Sequence, residues 1–273
     1  MFDEILACLD GSPLAEKILP LARSIAVAKR AKLTLLRVVE DTGDLSAQES
    51  YMRDRARLYG AEARFLISPD PASAVIGELE TKRRAIAAMT THGRTAWAEA
   101  LLGSVALKVI QGARRPVLLF HPQPGISEPP AKVTTLVIAL DGSEFSEKII
   151  PFAVETAKSI AARVQLIQAL PSRAQVPPVP GEAKSDVLES SYLHGKAAEM
   201  KRIYGIQPDW EVLHGEPGGA ICGHVDGIQE AMLAMTSHAR SGLERAFFGS
   251  VAAECIRNAG VPILIYWPDQ KMP

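Results

Sequence analysis

Short apolar runs alternate along the chain with longer stretches in which apolar residues recur at helical spacing. The first run, residues 5–9, has no polar position, which is typical of a strand buried on both faces of a parallel sheet. After the turn at 10–12, Ser12 suits a helix N-cap and Pro13 suits the first helical position. The apolar spacing that follows predicts one helix over 13–29, with a bend at Pro20.

The same alternation continues to the end of the chain and predicts an α/β fold. In the first half we expect further strands at 33–39, 63–67, 86–90 and 116–120, and helices at 46–59, 72–84 and 104–111. In the second half we expect strands at 136–140, 164–170, 210–213, 231–235 and 261–266. Strands that alternate with helices imply right-handed crossovers and a parallel sheet covered on both faces.

The chain also repeats itself. Residues 9–22 align with residues 140–153, and nine of these fourteen positions are identical. Three later segments recur in the same order. Residues 91–94 align with 237–240, residues 102–106 with 248–252, and residues 115–120 with 261–266. This internal repeat predicts two tandem doubly wound, Rossmann-like domains, each with a five-stranded parallel sheet flanked by helices.

The predicted domains span residues 1–125 and 133–273, and the linker 126–132 lies in a stretch rich in Pro, Gly and Ser. The second domain carries an extra Pro-rich piece at 171–184, which is either a surface loop or a site for a partner.

Composition and charge exclude several classes of protein. Hydrophobic residues make up 47% of the 273 residues and charged residues 22%, with a net charge of −1, which argues against disorder and against binding nucleic acid through a basic surface. No apolar run is long enough to span a membrane, and Asp3 and Glu4 stand where an export signal would be basic. The three widely spaced cysteines are typical of the reducing cytosol, so we expect a cytoplasmic protein.

Two loops in each half follow strands at the edge where such sheets bind ligands. Asp10 and its repeat Asp141 can accept hydrogen bonds from a ribose or a base amine, or can simply stabilise their turn. The second loop runs from Thr90 through Gly93 to Gly103 and Ser104, which begin a helix. A glycine loop and the amides at a helix N-terminus together predict a cradle for a polyphosphate.

These motifs, with the D-G-S turn and the R-P-V-L-L-F strand, resemble the universal stress protein family over nearly the whole chain. Nucleotide-binding members of that family carry G-x2-G-x9-G-[S/T] around the triphosphate of ATP, usually with a divalent cation. The resemblance therefore implies an adenine nucleotide as ligand and ATP with Mg or Mn as cofactor, with no metal site made by the protein alone.

The resemblance also implies which residues touch the nucleotide. In the first domain they are Cys8, Leu9, Asp10, Val38, Met89, Thr90, His92, Gly93, Arg94, Gly103, Ser104, Val105 and Ala106. In the second domain the corresponding residues are Asp141, Ala169, Thr236, His238, Ala239, Gly249, Ser250 and Val251.

This sequence departs from the family pattern, and more so in the second domain. The first Gly of the pattern is Thr90 in one half and Thr236 in the other. The second Gly is kept as Gly93 but is replaced by Ala239, whose Cβ would cost roughly 1–2 kcal/mol at positive φ. We therefore expect the first domain to hold the better site and the second to be weak, empty or altered.

The histidines and arginines of the phosphate loop leave alternatives open. His92 and His238 either bind phosphate or orient the loop, and Arg94 and Arg240 either neutralise phosphate or lie exposed. No Ser–His–Asp or Cys–His arrangement is visible, so we expect no catalytic residues and at most slow ATP hydrolysis.

The sequence is compatible with three functions. The first is an ATP-binding stress or regulatory protein, and the second is an interaction protein whose loops no longer bind nucleotide. The third is an enzyme of the adenine-nucleotide hydrolase type, which is disfavoured because the first loop lacks the Gly-rich phosphate motif of those enzymes.

The last strand of each domain is apolar and would lie at a sheet edge, which normally needs covering. Members of the family often dimerise through this strand. We therefore predict that residues 117–120 pair with 263–266 within the chain, and a homodimer is a further possibility.

Overall fold

The computed structural model describes residues 2–40, 45–82, 84–91, 102–123, 125, 128–171, 185–237 and 249–268, with the backbone alone at 185–189. The elements of the first half are β1 (Glu4–Leu9), α1 (Pro13–Glu16), α2 (Leu19–Lys29), β2 (Lys32–Val39), α3 (Leu45–Tyr59), β3 (Glu62–Ile67), α4 (Pro71–Thr81), β4 (Ala85–Thr90), α5 (Ser104–Gly112) and β5 (Val117–Phe120). Those of the second half are β6 (Thr135–Leu140), α6 (Glu144–Glu147), α7 (Ile150–Ile160), β7 (Arg163–Leu170), α8 (Ser185–Tyr204), β8 (Asp209–His214), α9 (Pro217–Asp226), β9 (Ala231–Thr236), α10 (Ser250–Asn258) and β10 (Ile263–Tyr266).

The predicted single helix over 13–29 is wrong in one respect, because it is two helices, α1 and α2. The Oγ atom of Ser12 accepts a hydrogen bond from the amide of Ala15 and caps α1. Pro20 then lies in the first turn of α2, where its missing N–H removes no helical hydrogen bond. The proline therefore begins a helix instead of bending one, and the second half repeats the break between α6 and α7.

All ten strands form one sheet in the order β3-β2-β1-β4-β5-β10-β9-β6-β7-β8. Neighbouring strands are parallel throughout except at the centre, where β5 and β10 pair antiparallel with Leu118 opposite Leu264. The predicted α/β class with helices flanking a parallel sheet is confirmed. Within the first half the strand order is 3-2-1-4-5, so the order reverses between β1 and β4, and ligands bind at such a switch point.

Two hydrophobic cores cover the two faces of this sheet, and each runs through both halves. One lies under α1–α3, α7 and α8, and the other lies under α4, α5, α9 and α10. The halves also meet away from the strands, where the Nζ atom of Lys29 on α2 lies 2.6 Å from the Oε1 atom of Glu155 on α7. The central strand pair and this helix contact join the halves into one packed unit.

Two features are absent from the part of the chain that the structure describes. No helix there combines the length and apolar character that crossing a membrane requires. No group of three His, Cys, Asp or Glu side chains there could hold a metal ion.

Candidate functional site

A cavity of about 640 Å³ opens at the carboxyl ends of β1, β2 and β4, beside the start of α5. All ten of the predicted first-domain site residues that the structure describes line it: Cys8, Leu9, Asp10, Val38, Met89, Thr90, Gly103, Ser104, Val105 and Ala106. The other three, His92, Gly93 and Arg94, lie outside the described residues, as do His238, Ala239, Arg240 and most of the Pro-rich piece.

The turn after β1 forms one wall of this cavity. The Oδ1 atom of Asp10 accepts a hydrogen bond from the amide of Ser12 at 2.9 Å, and Asp141 does the same for Ser143 in the second half. The turn-stabilising role that we considered for these aspartates is therefore present in both halves. Asp10 also lines the cavity, so its carboxylate can serve the turn and still face a ligand.

The loop that follows β4 is closed at its base by Thr91. The carbonyl oxygen of Thr91 accepts a hydrogen bond from the amide of Gly103 at 2.8 Å, and its hydroxyl lies 2.6 Å from the Nδ1 atom of His121. Residues on either side of the loop are thus held together, and α5 begins directly at the cavity wall. Gly103 is the N-cap of α5 and supplies no side-chain acceptor to its first-turn amides. The positive end of the α5 dipole therefore points to this part of the cavity.

Cys8 is the one thiol in the cavity wall among the described residues. Burial raises the pKa of Cys8 to about 12, so the thiol is neutral at physiological pH. A neutral thiol is a poor nucleophile, and Cys8 contributes packing and a weak donor rather than covalent chemistry.

Two charged residues that line this cavity were not predicted from the sequence, Arg37 on β2 and Glu40 directly after it. Arg37 is only 4% exposed, lines the cavity and donates from Nε to the Oε1 atom of Gln48 at 3.0 Å. A single charged residue in the mostly apolar run 33–39 was the available signal. Gln48, Pro71 and Val75 also line the cavity and were not predicted.

The second half has the same arrangement of strand ends and helix start, but one charged position of the first half is neutral there. Gly249 caps α10 without a side chain, and its amide donates to the Oγ atom of Ser237 at 3.4 Å. Thr236 ends β9 and is buried, while Ala169 and Val251 pack on the apolar core beneath that edge of the sheet. Gln168 occupies the place of Arg37, so the corresponding position in the second half is uncharged.

The fold is that of a doubly wound α/β protein, with a cavity at the switch point of its first half. A sequence profile described as the universal stress protein family matches residues 132–266. A universal stress protein of Methanocaldococcus jannaschii is 30% identical over 142 residues, which are 50% of this chain and 83% of that protein. A Mycobacterium tuberculosis universal stress protein is 26% identical over 178 residues, 64% of this chain but only 59% of its own length.

Several solved structures resemble nearly the whole chain. One is a universal stress protein of Archaeoglobus fulgidus, with a TM-score of 0.65, 18% identity, and coverage of 98% of this chain and 99% of that one. Another is a Pseudomonas aeruginosa protein of unknown function, with a TM-score of 0.73, 19% identity, and coverage of 98% and 93%. The chain belongs to the universal stress protein family, and the predicted family is confirmed.

Proposed function

We propose that this protein is a cytoplasmic stress-response protein that binds ATP in the cavity of its first half. The observation that carries the proposal is the cavity itself, whose volume of about 640 Å³ lies within the usual range for small-molecule sites. It is lined by ten of the thirteen first-domain residues that the family resemblance assigns to the nucleotide, and the other three lie outside the described residues.

The chemistry of the cavity wall suits the parts of ATP. The apolar side chains of Val38, Val75 and Met89 offer a surface for adenine, and Asp10 offers an acceptor for ribose hydroxyls. Gly103 and Ser104, at the start of α5, offer amides and a hydroxyl to the phosphates. A Mg or Mn ion would enter with the phosphates.

We further propose that the chain is a tandem pair of family domains, 1–125 and 133–273, with the linker at 126–132. In that arrangement the second half holds a weakened or altered site. An interaction protein that binds no nucleotide is the competing proposal, and the experiment below separates the two.

Isothermal titration calorimetry of the full chain with ATP and Mg²⁺ tests the proposal. The informative variant is Ser104→Glu, because its carboxylate would occupy the anion position while still suiting the α5 dipole. The matched control is Ser250→Glu, which makes the same change at the start of α10. We expect one main site in the wild type, its loss in Ser104→Glu, and its retention in Ser250→Glu.

Two outcomes would count against ATP binding in the first half. No heat from the wild type at millimolar ATP would leave the interaction protein as the better proposal. Retention of binding in Ser104→Glu with loss in Ser250→Glu would move the site to the second half.

A further inference from the structure

The guanidinium of Arg37 lies buried against the turn after β1. Gly11 in that turn has a φ of +82°, and a Cβ added there would overlap the Nη1 atom of Arg37. The close approach therefore depends on the missing side chain of Gly11. An arginine stays protonated in proteins, so this wall of the cavity carries a permanent positive charge.

A second, smaller cavity adjoins the first through this arginine. Its volume is about 180 Å³, and it is lined by Gly11, Arg37, Ala47, Gln48 and Tyr51. Arg37 and Gln48 line both cavities. The Tyr51 ring backs the guanidinium, with its centroid 5.8 Å from the Cζ atom of Arg37. A polar group that entered from the main cavity would thus meet a held guanidinium and a side-chain amide.

The main cavity is consequently positive at two separate places. One is the start of α5, which follows β4, and the other is Arg37 on β2. Arg37 bonds to Gln48 on α3, which packs on one face of the sheet, whereas α5 packs on the other face, so the two places are separate. Asp10, which precedes Gly11, and Glu40, which directly follows β2, also line the cavity, so its wall carries two carboxylates beside these positive places.

We propose that Arg37 and Gln48, backed by Tyr51, form a second anion subsite. The ligand is then an adenine nucleotide that carries a phosphate on its ribose as well as at the 5′ position. The proposal rests on the proposed nucleotide function, because that function places the adenosine beside Asp10, next to Gly11. It specifies the chemical class of nucleotide that the first half prefers.

The second half of the chain supplies the natural comparison. Leu9 pairs with Arg37 across β1 and β2, and Leu140 pairs with Gln168 across β6 and β7 in the same register. Gln168 is buried at 8% exposure beneath the equivalent turn, so this position of the fold accepts a neutral amide. Arg37→Gln is therefore a substitution that the fold already accommodates in its other half.

Calorimetry of the full chain with AMP, adenosine 2′,5′-bisphosphate and adenosine 3′,5′-bisphosphate tests the subsite. We expect at least one bisphosphate to bind about tenfold more tightly than AMP, as one charge-assisted hydrogen-bond pair would provide. The bisphosphate that binds more tightly than AMP identifies the ribose hydroxyl that carries the second phosphate. Arg37→Gln should remove the preference and leave AMP affinity within about threefold, and Arg37→Lys should retain part of it.

Arg53→Gln is the matched control, because it removes one positive charge from an exposed site on α3. It should leave the preference unchanged. The subsite is refuted if the wild type binds AMP and both bisphosphates equally, or if Arg37→Gln weakens all three to the same extent. Loss of preference in Arg53→Gln would also refute it, since bulk charge would then explain the effect. If ATP binds normally but neither bisphosphate binds more tightly than AMP, the subsite is refuted and the proposed function is retained. If no adenine nucleotide binds, both the subsite and the proposed function are refuted.

Discussion

The contact between Lys29 and Glu155 should be a major link between the two halves of the chain. The Nζ atom of Lys29 lies 2.6 Å from Glu155 Oε1 and 3.0 Å from Ser159 Oγ, and it sits 4.3 Å from the centroid of the Phe2 ring. The side chains of Lys29 and Glu155 are only 5% and 17% exposed. The pair therefore lies largely out of water, although the two residues are 126 positions apart in sequence.

Replacing Lys29 by Met keeps much of the side-chain volume but leaves the Glu155 carboxylate poorly solvated without its cation. Breaking a buried pair in this way costs about 3–5 kcal/mol, and the partial exposure of Glu155 places the expected loss near the lower end, roughly 3 kcal/mol. The double replacement Lys29→Met/Glu155→Leu removes both charges and should return to within about 1.5 kcal/mol of the wild type. The coupling in the double-mutant cycle should then be about 2 kcal/mol or more.

Urea unfolding followed by circular dichroism measures each free energy of unfolding. The exposed pair Arg53–Glu49, whose side chains are 63% and 43% exposed, is the matched comparison and should show a coupling below about 0.5 kcal/mol. A coupling for Lys29 and Glu155 as small as that of the exposed pair would refute the reasoning. It would mean that the ion pair between Lys29 and Glu155 is not a major link between the halves.

Three further predictions follow from described contacts. Gly11→Ala should destabilise the protein more than Gly142→Ala, because both glycines have positive φ but only the first Cβ would overlap a guanidinium, and urea unfolding of the two variants measures the difference. Deleting residues 261–273 removes β10 and uncovers β5, so size-exclusion chromatography should show association, whereas a monodisperse product would contradict this packing. Cys8 should react slowly with iodoacetamide at pH 8, because its pKa is raised to about 12, and bound ATP should slow the reaction further in mass spectrometry.

The raised pKa of Cys8 also makes the free energy of unfolding depend on pH in a defined direction. A thiol whose pKa is raised by burial is stabilised in its neutral form, so its contribution to stability is present at neutral pH. That contribution is lost as the pH rises above the ordinary thiol pKa and towards 12. Replacing Cys8 by Ala should flatten this part of the pH dependence of unfolding.

Most strands and the ligand edge of the sheet could be predicted from local patterns. An apolar run such as 5–9 needs burial on both faces, and a turn with Asp and Gly after it returns the chain into a helix. The break between α1 and α2 was missed because Pro20 is compatible with a bend as well as with a helix start. Only the hydrogen bonds around it separate these possibilities.

The candidate site was predicted from the same kind of local signal. Asp10 and Gly103 stand where strand ends meet turns or helix starts, and the repeat marks both places twice. Arg37 could not be placed in this way, because an arginine in a strand can point to solvent or lie buried. Its burial is decided by Gly11 and by Gln48 on α3, which come from elsewhere in the chain.

The sequence by itself determined the element order, the internal repeat and the edge of the sheet at which a ligand would bind, because these depend on side-chain period and turn chemistry along short segments. Only the tertiary structure decided that two cores run through both halves and that Lys29 meets Glu155. Those features depend on which distant surfaces exclude water together, and that choice arises when the elements pack.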